Sequence, residues 1–148
     1  MLTVRQLGFA DLAVARELFL LFQSDDGIAE PRVPADQYLR KILKKKYFYA
    51  IAALDGERVA GGLTAYSLPM YKKEIREMFL FEIGVTPTYR RRSVGKQLVE
   101  YLLALCRREG IGVMFVVTSR ENMAAVRLYE TTGGSADARS ILYTYGEI

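Results

Sequence analysis

The chain has no histidine, no tryptophan and a single cysteine in 148 residues. Without histidine there is no Ser-His-Asp or Cys-His nucleophilic machinery, no histidine-ligated metal and no histidine general base. One thiol, Cys106, excludes an internal disulfide framework and a multi-cysteine zinc site, so no metal is expected. Any acid–base work falls to carboxylates, tyrosines, lysines, the thiol or bound water. No apolar run reaches the roughly 18 residues of a membrane helix. The opening MLTVRQLGF lacks the basic and apolar regions of a signal peptide. A soluble, cytoplasmic protein without a membrane partner is therefore expected. There is no internal repeat and no low-complexity linker.

What is present is ordinary in amount and uneven in placement. Hydrophobic residues make up 51% and charged residues 26%, which argues against wholesale disorder. A chain of this length buries roughly 68–70% of its unfolded surface, enough for one core, and a single domain over residues 1–148 is expected. The net charge of +4 favours an anionic partner. Arg40-Lys41 with Lys44-Lys45-Lys46 form one basic block, and Arg90-Arg91-Arg92 with Lys96 form another. Residues 23–30 carry Asp25, Asp26 and Glu30 with no compensating cation.

Periodicity gives the order β-α-α-β-β-β-α-β-α-β. A first strand is predicted over Thr3 to Leu7. Asp11 is the expected N-cap of a helix to about Phe22, whose stripe is Leu12, Ala15, Leu18, Phe19 and Phe22. Pro34 suits the first turn of a second helix reaching about Lys45. Strands over Phe48–Leu54 and Val59–Ser67 flank the hairpin signal Asp55-Gly56. Met78 to Val85 (MFLFEIGV) is the most strand-like segment, apolar except for Glu82. An amphipathic helix follows from about Val94 to Glu109, with Gly110 as its C′ residue. A buried strand over Val113–Thr118, a helix over Asn122–Thr132 closed by Gly133-Gly134, and a last strand over Ile141–Tyr145 complete the chain. These elements predict a mixed α/β (α+β) domain with one sheet flanked by about four helices.

The informative stretch is residues 78–97: a buried strand, the turn TPTYRRRSVG, then a helix. A helix start leaves its first N–H groups without intrahelical partners, and those donors with the helix dipole favour a phosphate. Gly95 permits close approach, and Arg90, Arg91, Arg92 and Lys96 add positive charge. On the residues alone, a phosphate cradle and a solvated basic turn before an ordinary helix both remain open.

Two motifs make the chain resemble the Gcn5-related N-acetyltransferase superfamily over nearly its whole length. Arg90-Arg91-Arg92-Ser93-Val94-Gly95 is similar to that family's Q/R-x-x-G-x-G/A loop, with Ser93 in place of the first glycine. Asn122 to Gly133, with Ala125, Leu128 and Tyr129, is similar to its N-x-x-A-x-x-L-Y-x-x-x-G helix. The stretch Ala53–Pro69, the connection ending Ile75-Arg76-Glu77 and the arginine-rich loop resemble class I aminoglycoside 3-N-acetyltransferases. The chain departs from that group at Glu82, where aspartate is usual, and at Ser119-Arg120-Glu121-Asn122, which stands in place of an acidic segment. No dinucleotide fold is indicated, because no G-x-G-x-x-G is present.

The resemblance implies a central mixed, mostly antiparallel sheet and acetyl-CoA as co-substrate. It implies direct attack by a primary amine in a ternary complex, with no acyl-enzyme and no metal. Arg90, Arg91, Arg92, Ser93, Val94, Gly95 and Lys96 are the expected diphosphate site. Ile83, Gly84 and Val85 are expected to offer backbone groups to the pantetheine arm. Asn122 and Ala125 are candidate cofactor contacts, with Asn122 as helix N-cap, cofactor contact or both. Glu82 is the candidate base, the alternatives being a structural ion pair or a substrate-orienting carboxylate. Tyr129 is the candidate acid, the alternative being a core aromatic. Asp25, Asp26, Glu30, Glu74 and Glu77 are candidates for holding a cationic substrate, with plain solvation as the alternative. Cys106 reads as inert core, and Arg40 to Lys46 as a wet helix face.

The acceptor is expected to be a small cationic amine, aminoglycoside-like. An amino acid, a polyamine, a protein amine and a non-catalytic acyl-CoA sensor remain the other readings. A nucleic-acid partner is not expected, because aromatic residues are not interleaved with the arginines. The resemblance leaves a homodimer open.

Overall fold

A computed structural model describes residues 1–148. The chain forms two compact units, Met1–Val117 and Thr118–Ile148. The first holds β1 (Thr3–Gln6), α1 (Leu12–Asp25), α2 (Asp36–Leu43), β2 (Phe48–Asp55), β3 (Arg58–Pro69), β4 (Arg76–Val85), α3 (Val94–Arg108) and β5 (Val113–Val116). The strands make one sheet in the order β1-β2-β3-β4-β5. Its pairs are antiparallel except β4 with β5, which is parallel; β5, expected to be buried, is the edge strand, and its Val113 and Phe115 are exposed. The mixed, mostly antiparallel sheet that the resemblance implies is therefore present.

Gly61 and Gly62, successive residues of β3, show how the helices are layered. A Cβ on Gly61 would lie 3.3 Å from Val94 of α3, and one on Gly62 would lie 2.5 Å from Leu18 of α1. Successive side chains point to opposite faces of a strand, so α1 and α3 cover opposite faces. This explains why Phe48 to Leu54 is buried at every position instead of alternating. On the α1 face, Ala15, Leu18 and Phe22 pack with Phe48, Ala50 and Ala52.

The register of β4 slips once. Ala65 pairs with Leu80, but Thr64 pairs with Glu82, so Phe81 is an extra residue. Such a bulge changes which face the following residues occupy. Leu80 lies on the α3 face, whereas Glu82 and Gly84 lie on the α1 face.

Helix ends follow local chemistry, with two departures from expectation. Gly110 is the C′ residue of α3, at φ +70°. Ile111 N donates to Cys106 O at 2.8 Å and Gly110 N to Arg107 O at 3.4 Å, closing a Schellman motif. Asp11 precedes α1 but caps no helical N–H. Its carboxylate instead accepts from Gly8 N at 2.8 Å and Arg5 at 2.9 Å, because the chain enters through a 3-10 turn over Phe9–Asp11. Pro34 lies outside α2, since Ala35 is still extended at ψ 154° and the first helical residue is Asp36.

The second unit contains α4 (Met123–Thr131). Asn122 caps it, accepting from Ala125 N at 3.1 Å. Gly134 N donates to Tyr129 O at 2.8 Å and ends the helix. The strand expected at Ile141–Tyr145 is absent. These residues alternate suitably, but a strand exists only with a partner ladder, and no other strand lies in Thr118–Ile148. Ile141, Leu142, Tyr143 and Tyr145 are exposed.

Candidate active site

Pairing between β4 and β5 ends at Leu80–Val116. Beyond it, Glu82 to Val85 pair with β3 alone. One edge of the strand carrying Glu82, Ile83, Gly84 and Val85 thus has main-chain groups with no strand beside them. An extended amide-bearing chain can be held on such an edge.

The turn after β4 presents a row of donors. No backbone N–H from Arg91 to Lys96 donates to a protein acceptor; Gln97 N is the first to do so, to Ser93 O at 3.0 Å. Arg91 and Ser93 both adopt left-handed backbone, at φ 62° and 59°. Serine thus takes the conformation for which glycine would be the default, and no side chain caps α3. Unpartnered N–H groups at the start of a fifteen-residue helix suit a diphosphate. The residues present therefore fit an acyl donor carrying one.

Side chains pin this turn from two directions. Tyr89 OH donates to Asp55 Oδ2 at 2.5 Å, tying it to the β2–β3 hairpin and holding the phenol in its protonated form. The Arg92 guanidinium lies 5.5 Å over the Tyr89 ring. Arg90 reaches Asp25 at 3.6 Å. Lys96 sits 3.9 Å from Glu100, one helical turn on.

On the α1 face, a bare floor brings carboxylates together. Gly62 and Gly84 are cross-strand partners. A Cβ on Gly84 would lie 2.9 Å from Asp25 Oδ2 and 3.3 Å from Phe22, so the end of α1 rests directly on β4. Burial pushes the Glu82 carboxyl above its ordinary range, and the charge of Asp26 pushes it the same way. Burial also raises Asp25, against the opposing pull of Arg90. The Tyr66 hydroxyl is raised by burial and then by Glu82, Tyr38 and Tyr47.

Beside these acids runs an aromatic wall. Phe48, Tyr66, Phe81, Phe79 and Phe115 follow ring to ring at 5.3, 5.8, 5.5 and 4.8 Å. Phe81 is 53% exposed, so the wall faces solvent next to Glu82. A cation with an apolar flank suits such a surface.

Not every candidate joins this group. Glu77 pairs with Leu68 of β3, about 13 Å along the strand from Thr64 at ~3.3 Å per residue. Glu30 and Glu74 are exposed. Cys106 is buried, and burial raises its thiol, in keeping with inert core. Arg40 and Lys41 sit in the exposed last turn of α2, and Lys44 lies 5.0 Å over Phe9. In the second unit, the Ala125 N–H is taken by Asn122, and burial raises the Tyr129 hydroxyl.

Several residues were not singled out from sequence. Tyr66 and Phe81 lie in strands and carry no local mark of a solvent-facing wall. Gln23 clamps the acidic loop, bonding both Arg32 O and Arg32 N at 2.6 Å. Its side chain gives no local signal of that.

Several known proteins are similar to this chain. An aminoglycoside acetyltransferase from an uncultured soil metagenomic sample is 29% identical, with a TM-score of 0.89, covering 100% of this chain and 99% of that one. A second such enzyme, also from soil metagenomic DNA, shares the fold at TM-score 0.93 and 24% identity, over 99% and 97% of the two chains. The Escherichia coli [ribosomal protein bS18]-alanine N-acetyltransferase is 35% identical over 57 residues, and this match spans only 38% of each chain. No helix here is long and apolar enough to cross a membrane. Residues 15–133 match the acetyltransferase (GNAT) family, and the chain belongs to that family.

Proposed function

We propose that this protein transfers the acetyl group of acetyl-CoA to a primary amine of a small cationic compound, aminoglycoside-like in character. One observation carries this reading: Glu82 sits on a strand edge without a neighbour, immediately before a helix start whose N–H groups are unpartnered. The acyl donor supplies an activated carbonyl carbon and a thiolate leaving group. The chain binds it through Arg91 to Lys96 and the free edge of Ile83 to Val85. Asn122 is a further candidate contact.

An amine attacks only when neutral, and most alkyl amines are protonated near pH 7. Glu82 takes that proton, directly or through a water, and its raised pKa suits the task. Asp25 and Asp26 attract the cation, and Tyr66 and Phe81 offer a flat apolar wall to the rest of the molecule. Tyr129 is the proposed acid for the departing sulfur; its raised pKa keeps the phenol protonated at neutral pH. Full-length similarity to an aminoglycoside acetyltransferase supports the acceptor class.

A second reading is acetylation of a protein N-terminal amine, supported by the local match to the bS18-alanine enzyme. A thiol-release assay with aminoglycosides, a polyamine, free amino acids and an alanine-initiated peptide separates the two. Release with aminoglycosides and not with the peptide supports the first reading; the reverse supports the second. Acetyl-CoA binding without release for any amine would indicate a sensor and overturn both. Calorimetry should show acetyl-CoA binding that weakens in the double variant Arg91→Glu, Arg92→Glu. A homodimer is a separate proposal, checked by sedimentation.

A further inference from the structure

Thr64 is only 4% exposed, and its Oγ1 has no hydrogen-bond partner. A buried hydroxyl left so is uncommon and asks for a reason. Thr64 pairs with Ala50 on one side and with Glu82 on the other. Directly opposed residues place their side chains on one face, so Ala50, Thr64 and Glu82 form a row beneath α1. Ala50 offers no polar side-chain atom. To one side of the row, Leu18 lies over Gly62 and Phe22 over Gly84. The Glu82 carboxylate is the one acceptor side chain in that row.

The bulge makes this pair. Continued without slippage from Ala65–Leu80, the ladder would set Thr64 against Phe81 and Glu82 against Leu63. The extra residue brings the carboxylate opposite the orphan hydroxyl instead. Opposed Cβ atoms lie about 4.5–5.5 Å apart, a span within reach of the longer glutamate side chain.

We propose that Thr64 is a positioning residue: its hydroxyl donates a hydrogen bond to one carboxylate oxygen of Glu82, fixing the other toward the incoming amine. The inference rests on the reading of Glu82 as base. The groups that face this carboxylate are Asp25 and Asp26 at the end of α1, and Tyr66 of β3 with Tyr38 and Tyr47 beside it. Arg90 is the cation in this group and is engaged by Asp25. Asp26 and burial resist ionisation of Glu82, whereas a hydroxyl donor favours it.

The test uses Thr64→Val and Thr64→Ser in the full chain, assayed by thiol release with acetyl-CoA and an accepted amine across pH. Valine keeps the shape and removes the donor. The acid limb of kcat/KM should move up by about one pH unit, and kcat at pH 7 should fall about three- to tenfold. KM for acetyl-CoA and the melting temperature should hold, and Thr64→Ser should restore the wild-type profile. A purely structural threonine would move none of the profile. A Thr64→Val profile that overlays wild type, with Glu82→Gln inactive, overturns the role of Thr64 alone. Full activity in Glu82→Gln overturns the base assignment and this inference with it. If Thr64→Val fails to fold, Thr64→Ala carries the same expectation.

Discussion

Asp25 and Arg90 meet at 3.6 Å, which ties the end of α1 to the turn that follows β4. In the proposed site, a carboxylate assigned to the acceptor thereby holds a cation assigned to the donor. Asp25→Asn should raise KM for a cationic amine by about three- to tenfold while lowering that for acetyl-CoA, because Arg90 is released. Both partners are partly exposed, so the melting temperature should barely move. Steady-state kinetics with each substrate varied in turn checks this. Unchanged KM values for both would remove Asp25 from the site.

Glu82→Gln should lower kcat by about a hundredfold or more. It should also stabilise the protein at neutral pH. The folded-state pKa of Glu82 lies above its ordinary value, so the native state holds this proton more tightly than the unfolded chain. Stability therefore falls as pH rises from the ordinary carboxylate range through the raised value. Removing the buried charge should lift the melting temperature at pH 7–8, on the order of 1–3 °C, and leave no gain near pH 4. Calorimetric melting across pH measures it; an equal gain at both ends would contradict the linkage.

Ser93 holds left-handed backbone at φ 59°, which costs a residue with a Cβ about 1–2 kcal/mol. Ser93→Gly should relieve that and raise stability by less than about 1 kcal/mol, since glycine loses more chain entropy on folding. Ser93→Val, branched at Cβ, should destabilise and weaken acetyl-CoA binding together. Titration calorimetry on both variants distinguishes backbone shape from hydroxyl chemistry, for valine and glycine both lack the hydroxyl.

Gly62 and Gly84 should respond differently to a methyl group. At Gly62 the added carbon would meet Ile51 O at 2.6 Å and Leu18 at 2.5 Å, a clash that includes backbone. Gly62→Ala should cost about 1–3 kcal/mol. At Gly84 the nearest atom is the movable end of Asp25, at 2.9 Å. Gly84→Ala should therefore fold well and act chiefly on KM for the amine. Melting curves beside kinetics would show the split.

Some of this was legible from residue order and some was not, for definite reasons. α3 was plain, because an apolar stripe and a terminal glycine are local signals. Glu82 stood out as the lone carboxylate of an apolar strand. Its face could not be read, because the slip at Phe81 depends on pairing with β3. For the same reason the opposition of Thr64 to Glu82 was not visible. Ile141–Tyr145 shows the converse: its alternation is strand-like, but the ladder it would need is not supplied within its unit. Asp11 was a reasonable cap by type, and Arg5 and Gly8 claimed its oxygens instead.

The extra residue in β4 makes the acid's placement a matter of parity. Were the ladder to run past Phe81 without slipping, every functional group would stay in the chain, yet the carboxylate would stand opposite Leu63 and turn beneath α3. A homologous sequence that keeps these residues but pairs here without the slip would carry the glutamate on the wrong side of its sheet.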